Sequence, residues 1–337
     1  MLHIPDRRIL AFYLGLSLMT AATSFNGRVL PVAVAAQTHE VAWQLFQSRG
    51  LYPEWARDDS LHAGLSRRPL ALALTSAVQH AGLSWAYAFS LVRLASVLLA
   101  FLAFHSYLRI WFKDDLAMLG TLFVAASMAL TFTGTDRETL TDFPELLVFT
   151  LGMACLVLRR PALFGLVVLV GTINRESTAL LVIVAAFDSF LIWREGKIDL
   201  RFLVAGAIGW LVPTAALHAW LSVRPPSEVY LSRFTLLERN LTGLKRLLSR
   251  PHPYNNFLFP IYTFGLFWLL PFLGRRKLPV PIRAGLWVLP LFAVIILTIG
   301  ALNEPRELAP LYPILVPASL MVLFPRENDS AADPSEG

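Results

Sequence analysis

Long apolar runs, separated by short polar stretches, make up most of the chain. A helix needs roughly 20 apolar residues, or about 17 at the short end, to cross the hydrocarbon core of a bilayer. The runs that approach this length are 9–25, 84–112, 116–133, 144–158, 161–173, 178–193, 202–222, 257–273, 283–301 and 308–324. This pattern predicts an all-α, polytopic transmembrane helical bundle of about 10 spans, with residues 1–326 as one domain and 327–337 as a disordered cytoplasmic tail.

The composition agrees with a membrane protein and argues against a nucleic-acid partner. Hydrophobic residues make up 56% of the chain, charged residues 15%, and the mean hydropathy is +0.58, whereas about 25% of the residues in a soluble domain are charged. The net charge is +6, but the basic residues are scattered between apolar runs and form no single patch. We therefore expect membrane lipids, and no nucleic acid, as partners. The single cysteine, Cys155, excludes an intramolecular disulfide and a cysteine-based metal cluster.

The placement of Lys and Arg predicts how the spans are oriented. Short cytoplasmic loops are enriched in basic residues. If Arg7 and Arg8 are cytoplasmic, the basic segment 275–277 is also cytoplasmic only when the run 161–193 forms two short helices that break at 174–177. An unbroken helix would in addition hold a charged pair near the bilayer centre, which costs several kcal/mol. With the break, two long loops, 26–83 and 223–256, and three short polar turns lie on the outer face.

The polar turn at 174–177 is the strongest functional signal. Asn174, Arg175 and Glu176 interrupt an apolar run, so they have to be buried in protein or in a wet cavity. Ionisable residues within spans are functional candidates. Arg175 suits a phosphate ligand because its planar guanidinium presents a fork of donors, and Glu176 would orient it or accept a proton. The alternative is that the two neighbours form a purely structural ion pair.

Two further polar turns lie on the same face. The turn at 135–145 contains Arg137 and Asp142, and Asp142 occupies the position of a helix N-cap. The turn at 303–307 contains Glu304 and Arg306, which again offer an arginine held by a carboxylate. Two arginine–glutamate turns at one membrane depth, from distant parts of the chain, carry more information than either turn alone.

The outer loops add candidate carboxylates and a surface helix. Glu40, Asp58 and Asp59 in the first loop would act as a general base or hold a divalent cation, and the pair at 58–59 is otherwise solvated surface. The histidines of this loop lack partners at metal-ligand spacing, so we assign no residue to a metal site. In the second loop, apolar residues at helical spacing predict an amphipathic helix on the membrane face. Asn240 there begins a glycosylation sequon, which is a common chance match.

The order of these features resembles the GT-C superfamily of membrane glycosyltransferases, and within it the bacterial members that use a polyprenyl-phosphate sugar donor. The resemblance covers most of residues 1–325: a first span, a long outer loop with acidic residues, and many spans with polar turns outside. One departure is that Asn26, Gly27 and Arg28 stand where the superfamily usually has an acidic residue soon after the first span. The base would then come from the first-loop carboxylates, or the role has moved or been lost.

The resemblance implies transfer of a sugar, with inversion, to a glycan, lipid or protein acceptor at the outer face of the cell inner (plasma) membrane. A first-loop carboxylate would deprotonate the acceptor hydroxyl. Arg175 and Arg306 would hold the lipid phosphate, and Asp142, Glu176 and Glu304 would position these arginines or a divalent cation. The candidates are Glu40, Asp58, Asp59, Asp142 and Glu176 for catalysis, and Asn174, Arg175, Arg137, Glu304 and Arg306 for substrate binding.

Two other classes of function remain open at this point. Broken helices and charges within spans also fit a transporter or flippase for a lipid-linked or anionic substrate. A non-catalytic GT-C-like subunit is the third option. We favour the enzyme because the chain shows no internal repeat and its polar turns lie near one face rather than at the midplane.

Overall fold

The computed structural model describes residues 6–23, 29–49, 65–133, 140–221, 237–246, 249, 263–298 and 305–325. These ranges are helical and contain no β-strand, which confirms the predicted all-α class. The main helices are α1 (Arg7–Thr23), α2 (Val29–Gln47), α3 (Pro69–His80), α4 (Trp85–Leu108), α5 (Asp114–Thr133), α6 (Asp142–Val157), α7 (Pro161–Asn174), α8 (Ala179–Arg194), α9 (Arg201–Trp220), α10 (Val280–Thr298) and α11 (Tyr312–Leu323).

Four helical segments in the described ranges are long and apolar enough to cross a membrane. They are α4, the segment Glu176–Arg194 that contains α8, α9 and α10. Helix α7 and the segment Glu307–Leu323 are apolar but shorter. These helices point to association with a membrane, while the count of about 10 spans stays a prediction. The tail at 327–337 lies outside the described residues.

The break predicted at 174–177 is present. Helix α7 ends at Asn174 because Arg175 adopts an extended backbone, with φ −162° and ψ 137°, and the 3-10 turn Glu176–Thr178 leads into α8. Arg159, which stands just before α7, pairs with Asp188 in the second half of α8. The start of α7 therefore lies beside the later part of α8, and the two helices form an antiparallel hairpin with the polar turn at its tip.

Two elements differ from the expectation. The stretch 26–83 contains the 19-residue helix α2, which packs against α3 and α4. The sequence did not predict it because polar residues at 37–40 interrupt its apolar run. The expected span 257–273 is not one helix in its described part. It forms the 3-10 turn Gly265–Trp268 and a single α-turn, Leu270–Leu273, in which Pro271 has no N–H to extend the preceding turn.

Helix α4 runs through the packed interior, and α1, α2, α3, α5 and α6 all contact it. Helices α7 and α9 approach so closely that a Cβ on Gly209 would lie 2.4 Å from the carbonyl oxygen of Gly165. Small residues at such crossings let helix backbones pack directly together. Helix α6 in turn contacts α4, α7, α11 and the 3-10 turn Pro305–Leu311. This packing brings polar residues from three separate turns to one end of the helices.

Candidate functional site

Arg175 lies at the centre of the polar turns. Its Nη1 donates to Asp142 Oδ1 at 3.3 Å and to Glu145 Oε2 at 2.5 Å, and its Nη2 donates to Glu307 Oε1 at 2.6 Å. Asp142, Glu145 and Arg175 are buried, whereas Glu307 is partly exposed. We call these four residues, together with Arg68 and Glu176 described below, the Arg175 cluster.

The start of α6 supplies two of the three carboxylates. Asp142 and Glu145 are three residues apart in the first helical turn, so they share one face and also lie where the helix dipole favours negative charge. Ser177 donates to Glu145 Oε1 from the turn before α8. Asn174 donates through Nδ2 to the carbonyl oxygen of Thr141 at 3.0 Å. The hairpin tip is thus fastened to the start of α6 by hydrogen bonds from Asn174 and Ser177 as well as by the ion pairs.

Arg68, just before α3, extends the cluster toward solvent. Its Nη2 is 3.7 Å from Glu176 Oε2, and the side chain is 25% exposed. Its Nε is buried and has no hydrogen-bond partner among the described residues. Burial, and after it the positive charge of Arg175, lowers the pKa of Arg68, while Glu176, Glu307 and Glu145 act in the opposite direction. Because an arginine remains protonated at physiological pH, Arg68 is a cation that none of the described carboxylates binds tightly.

The charges of the cluster do not balance. Asp142, Glu145, Glu307 and Glu176 are four acids, and Arg175 and Arg68 are two bases. When every carboxyl is ionised, these six residues carry two more negative charges than positive ones.

The structure brings four of the candidate residues together. Asp142, Asn174, Arg175 and Glu176 all lie at this end of the helices. Glu40 lies on α2, beside His39, whose Nε2 accepts from the backbone N–H of Leu140 at 3.4 Å. The candidates Asp58, Asp59, Arg137 and Glu304 lie outside the described residues. Arg306 stands in the 3-10 turn Pro305–Leu311, and its side chain is likewise outside the described part.

Three members of the cluster were absent from the candidate residues. Glu145 had a detectable signal, because the spacing from Asp142 places it on the same helical face. Glu307 belongs to the third polar turn, but helix geometry alone does not show which acid of that turn faces Arg175. Arg68 had no signal beyond an arginine pair in a loop, since only the tertiary packing of α3 brings it to Glu176.

The described residues contain no group of three or more His, Cys, Asp or Glu side chains arranged to hold a metal ion. The guanidinium of Arg175 occupies the place between Asp142, Glu145 and Glu307 where a cation would otherwise lie. No protein-family model, curated protein or solved structure matches this chain.

Proposed function

We propose that this chain is a glycosyltransferase of the cell inner (plasma) membrane. It would cross the membrane several times and transfer a sugar from a polyprenyl-phosphate donor to a glycan, lipid or protein acceptor at the outer face. The observation that carries the proposal is the Arg175 cluster, in which turns far apart in the sequence place four carboxylates and two arginines at one end of the helices. The likeness in layout to the GT-C superfamily supplies the class of reaction.

The carboxylates divide into two groups by exposure. Asp142 and Glu145 are buried against Arg175, which suits them to positioning. Glu307 and Glu176 reach solvent and suit the role of general base. In the proposed reaction the base takes the proton of the acceptor hydroxyl, and the acceptor oxygen bonds to the anomeric carbon. The bond from that carbon to the phosphate oxygen breaks, and the polyprenyl phosphate leaves with the electron pair. Glu40, whose neighbour His39 contacts Leu140, remains an alternative base.

Arg68 is better placed than Arg175 to bind the phosphate of the donor. Both terminal nitrogens of Arg175 already donate to carboxylates, so a phosphate would have to displace Asp142, Glu145 or Glu307. Arg68 is partly exposed, and the carboxylate that pairs with its Nη2 among the described residues, Glu176, is 3.7 Å away, which is beyond hydrogen-bonding distance. We therefore propose that Arg175 holds the carboxylates in place and that Arg68 binds the phosphate of the donor. Arg306 stays a second candidate.

The carboxylate of Glu176 beside Arg68 sets a condition on this binding. A phosphate brings further negative charge next to it, so a proton or a divalent cation that enters with the phosphate would strengthen the binding. Phosphate binding should therefore be tighter at pH 6 than at pH 8 if a proton is taken up. If a cation is taken up instead, chelation by EDTA should weaken the binding.

Binding can be measured on the full-length protein in nanodiscs, with a synthetic polyprenyl phosphate as the probe. We expect Arg68→Gln to weaken binding at least tenfold and Arg201→Gln to leave it unchanged. Arg201 is the matched control because it is an exposed arginine that pairs, among the described residues, with Asp199 at the surface. Equal affinities of wild type and Arg68→Gln would remove Arg68 from the proposal. Transfer itself is tested by glycan profiling of cells that carry Arg175→Ala, and unchanged glycans at normal protein level would contradict the proposal.

A transporter or flippase is the second candidate, and the interrupted helix at Arg175 favours it. Broken helices with buried charges also form the substrate sites of transporters. The two functions give different products in proteoliposomes that contain a polyprenyl-phosphate sugar. Movement of the intact lipid between leaflets would support the transporter, whereas loss of the sugar to an added acceptor would support the enzyme. Binding with neither result would indicate a non-catalytic subunit.

A further inference from the structure

Helices α8 and α10 lie side by side and run in opposite directions. The rings of Phe187 on α8 and Trp287 on α10 are stacked, with centroids 6.4 Å apart. Just after α8, Glu195 accepts a hydrogen bond from Nη2 of Arg283 on α10 at 3.2 Å. Phe187 precedes Glu195 in the chain, whereas Trp287 follows Arg283, so the two helices are antiparallel. The end of α8 therefore lies beside the start of α10.

One side of this helix pair is exposed and largely apolar. Phe190, Trp287 and Val294 are exposed, and Trp287 presents 55% of its surface. Residues 187, 190 and 194 share one face of α8, and residues 283, 287 and 294 share one face of α10, because they recur at helical spacing. The stacking of Phe187 on Trp287 brings the two faces together. We call the resulting surface the α8–α10 seam, which consists of Phe187, Phe190, Arg194, Arg283, Trp287 and Val294.

Positive charge is concentrated at one end of the seam. Arg194 and Lys197 are exposed, and Arg283 is partly exposed and pairs with Glu195. These four residues together carry two more positive charges than negative ones. The nearby acids at 188 and 199 are each paired with an arginine of their own. Beyond Arg283, helix α10 contains no charged residue, so the rest of the seam on that helix is apolar.

The basic end of the seam has donors to spare. Arg283 uses Nη2 for Glu195. Among the described residues, no acceptor contacts its Nη1 or the side chains of Arg194 and Lys197. Guanidinium groups present a planar fork of N–H donors that matches a phosphate. This end is therefore suited to a phosphate group that approaches from the exposed side.

The seam also has the dimensions of one leaflet of a membrane. A helix rises about 16 Å between residues 283 and 294, and half of the hydrocarbon core is about 15 Å thick. Trp287 lies one turn from Arg283, and tryptophan is enriched at the level of the lipid head groups. The basic segment 275–277, which the sequence predicts to be cytoplasmic, comes just before α10, and the cytoplasmic leaflet carries anionic lipids.

We infer that the α8–α10 seam is a binding site for an anionic phospholipid of the surrounding bilayer. Arg283 and Arg194 bind the phosphate of the head group, and an acyl chain lies along Trp287 and Phe190. The surplus of positive charge attracts a head group with a net negative charge more strongly than a zwitterionic one, which has none. The seam therefore selects among lipids as well as contacting them.

This site is separate from the Arg175 cluster. The segment Glu176–Arg194 has 19 residues, so its two ends are about 28 Å apart in a helix. Glu176 belongs to the Arg175 cluster, and Arg194 belongs to the seam. The inference is thus independent of the proposed glycosyl transfer.

The first test is native mass spectrometry of the full-length protein released from nanodiscs that contain equal amounts of phosphatidylglycerol and phosphatidylcholine. We expect the wild type to retain phosphatidylglycerol in preference, and Arg283→Gln to reduce that preference about fivefold. Arg194→Gln should reduce it as well, and its side chain is exposed. Arg201→Gln should retain the preference of the wild type, because Arg201 donates through Nε and Nη2 to Asp199.

Three outcomes of this test would overturn the inference. The first is a wild type that retains the two lipids equally, and the second is an unchanged preference in Arg283→Gln. The third is a dimer that retains no lipid, because a second copy of the chain would then cover the seam.

The second test is the quenching of tryptophan fluorescence by lipids with brominated acyl chains, in nanodiscs of the full-length protein. Brominated phosphatidylglycerol should quench the wild type more than brominated phosphatidylcholine does. Trp287→Phe should lose most of this difference. Trp220→Phe is the control and should keep it, because Trp220 is an exposed tryptophan at the end of α9, outside the seam. An equal difference in Trp287→Phe and Trp220→Phe would overturn the placement of the acyl chain and with it the inference.

Discussion

Replacement of Arg175 by Met gives the sharpest test of how this fold is held together. The guanidinium of Arg175 is the shared partner of Asp142, Glu145 and Glu307, and it joins α6 to the α7–α8 hairpin and to the turn before α11. Asp142 and Glu145 are buried, so water cannot replace the lost partner. The variant would therefore take away the positive charge that both carboxylates contact.

The expected loss is large. Removal of one partner from a buried ion pair costs about 3–5 kcal/mol. At roughly 2–4 °C per kcal/mol for a mid-sized domain, this corresponds to a melting temperature lower by about 6–20 °C. The defect should shrink as the pH falls, because the folded variant gains stability when its buried carboxyls take up protons. The additional substitution Glu145→Gln removes one of those charges and should restore a substantial part of the loss.

The assay is thermal unfolding of the purified protein in nanodiscs at pH 8 and pH 6, for Arg175→Met, the double variant and Arg201→Gln. Arg201 is exposed and pairs with Asp199 at the surface, so its loss should cause no measurable shift. Equal melting temperatures of Arg175→Met and Arg201→Gln at pH 8 would refute the reasoning. So would a defect in Arg175→Met that is no smaller at pH 6 or in the double variant.

Three further outcomes follow from the packing. Gly209→Ala should lower the free energy of unfolding by about 1–3 kcal/mol, because the new methyl group would press against a backbone carbonyl of α7. Gly15→Ala is the control, since a Cβ there meets nothing within 4 Å. Equal free energies of unfolding in the two variants would contradict this. Arg159→Gln should lower the protein's stability more than Asp188→Asn does. The first variant leaves behind the carboxylate of Asp188, which is only 1% exposed, whereas the second leaves behind Arg159, which is 37% exposed and can be solvated. The sequon at Asn240 should remain unmodified in intact-mass measurements, since its buried amide donates to two carbonyls at the end of α10.

The sequence predicted the break in 161–193 because a charge argument and a burial argument agreed. An unbroken helix would have placed basic residues on the wrong face and a charged pair in the apolar core. The structure shows how the break is stabilised. Arg175 leaves the helical pattern, and carboxylates on α6 and before α11 bind its side chain. Asn174, the last residue of α7, donates to the carbonyl oxygen of Thr141 just before α6. The local helix propensity of the sequence cannot reveal the carboxylate partners, because they are 30 to 132 residues away in the chain.

The role of Arg175 changed between sequence and structure. A planar fork of donors next to a glutamate suggested a phosphate ligand, and the nearest acid, Glu176, was expected to orient it. In the structure Arg175 instead contacts Asp142, Glu145 and Glu307. Glu176 lies 3.7 Å from Arg68. Neighbouring residues at the end of a helix point in different directions, so adjacency in the chain did not determine pairing.

The sequence by itself determined the helical class, the apolar segments and the end of the helices at which the polar turns gather. These properties depend on periodicity, length and charge, which are local and additive along the chain. The tertiary structure alone decided which acid meets which base, that α2 forms within a stretch expected to be a loop, and that His105 is enclosed between Tyr13 and Asp114. Those features arise from contacts between distant segments, where a rotation of one helix face exchanges one partner for another.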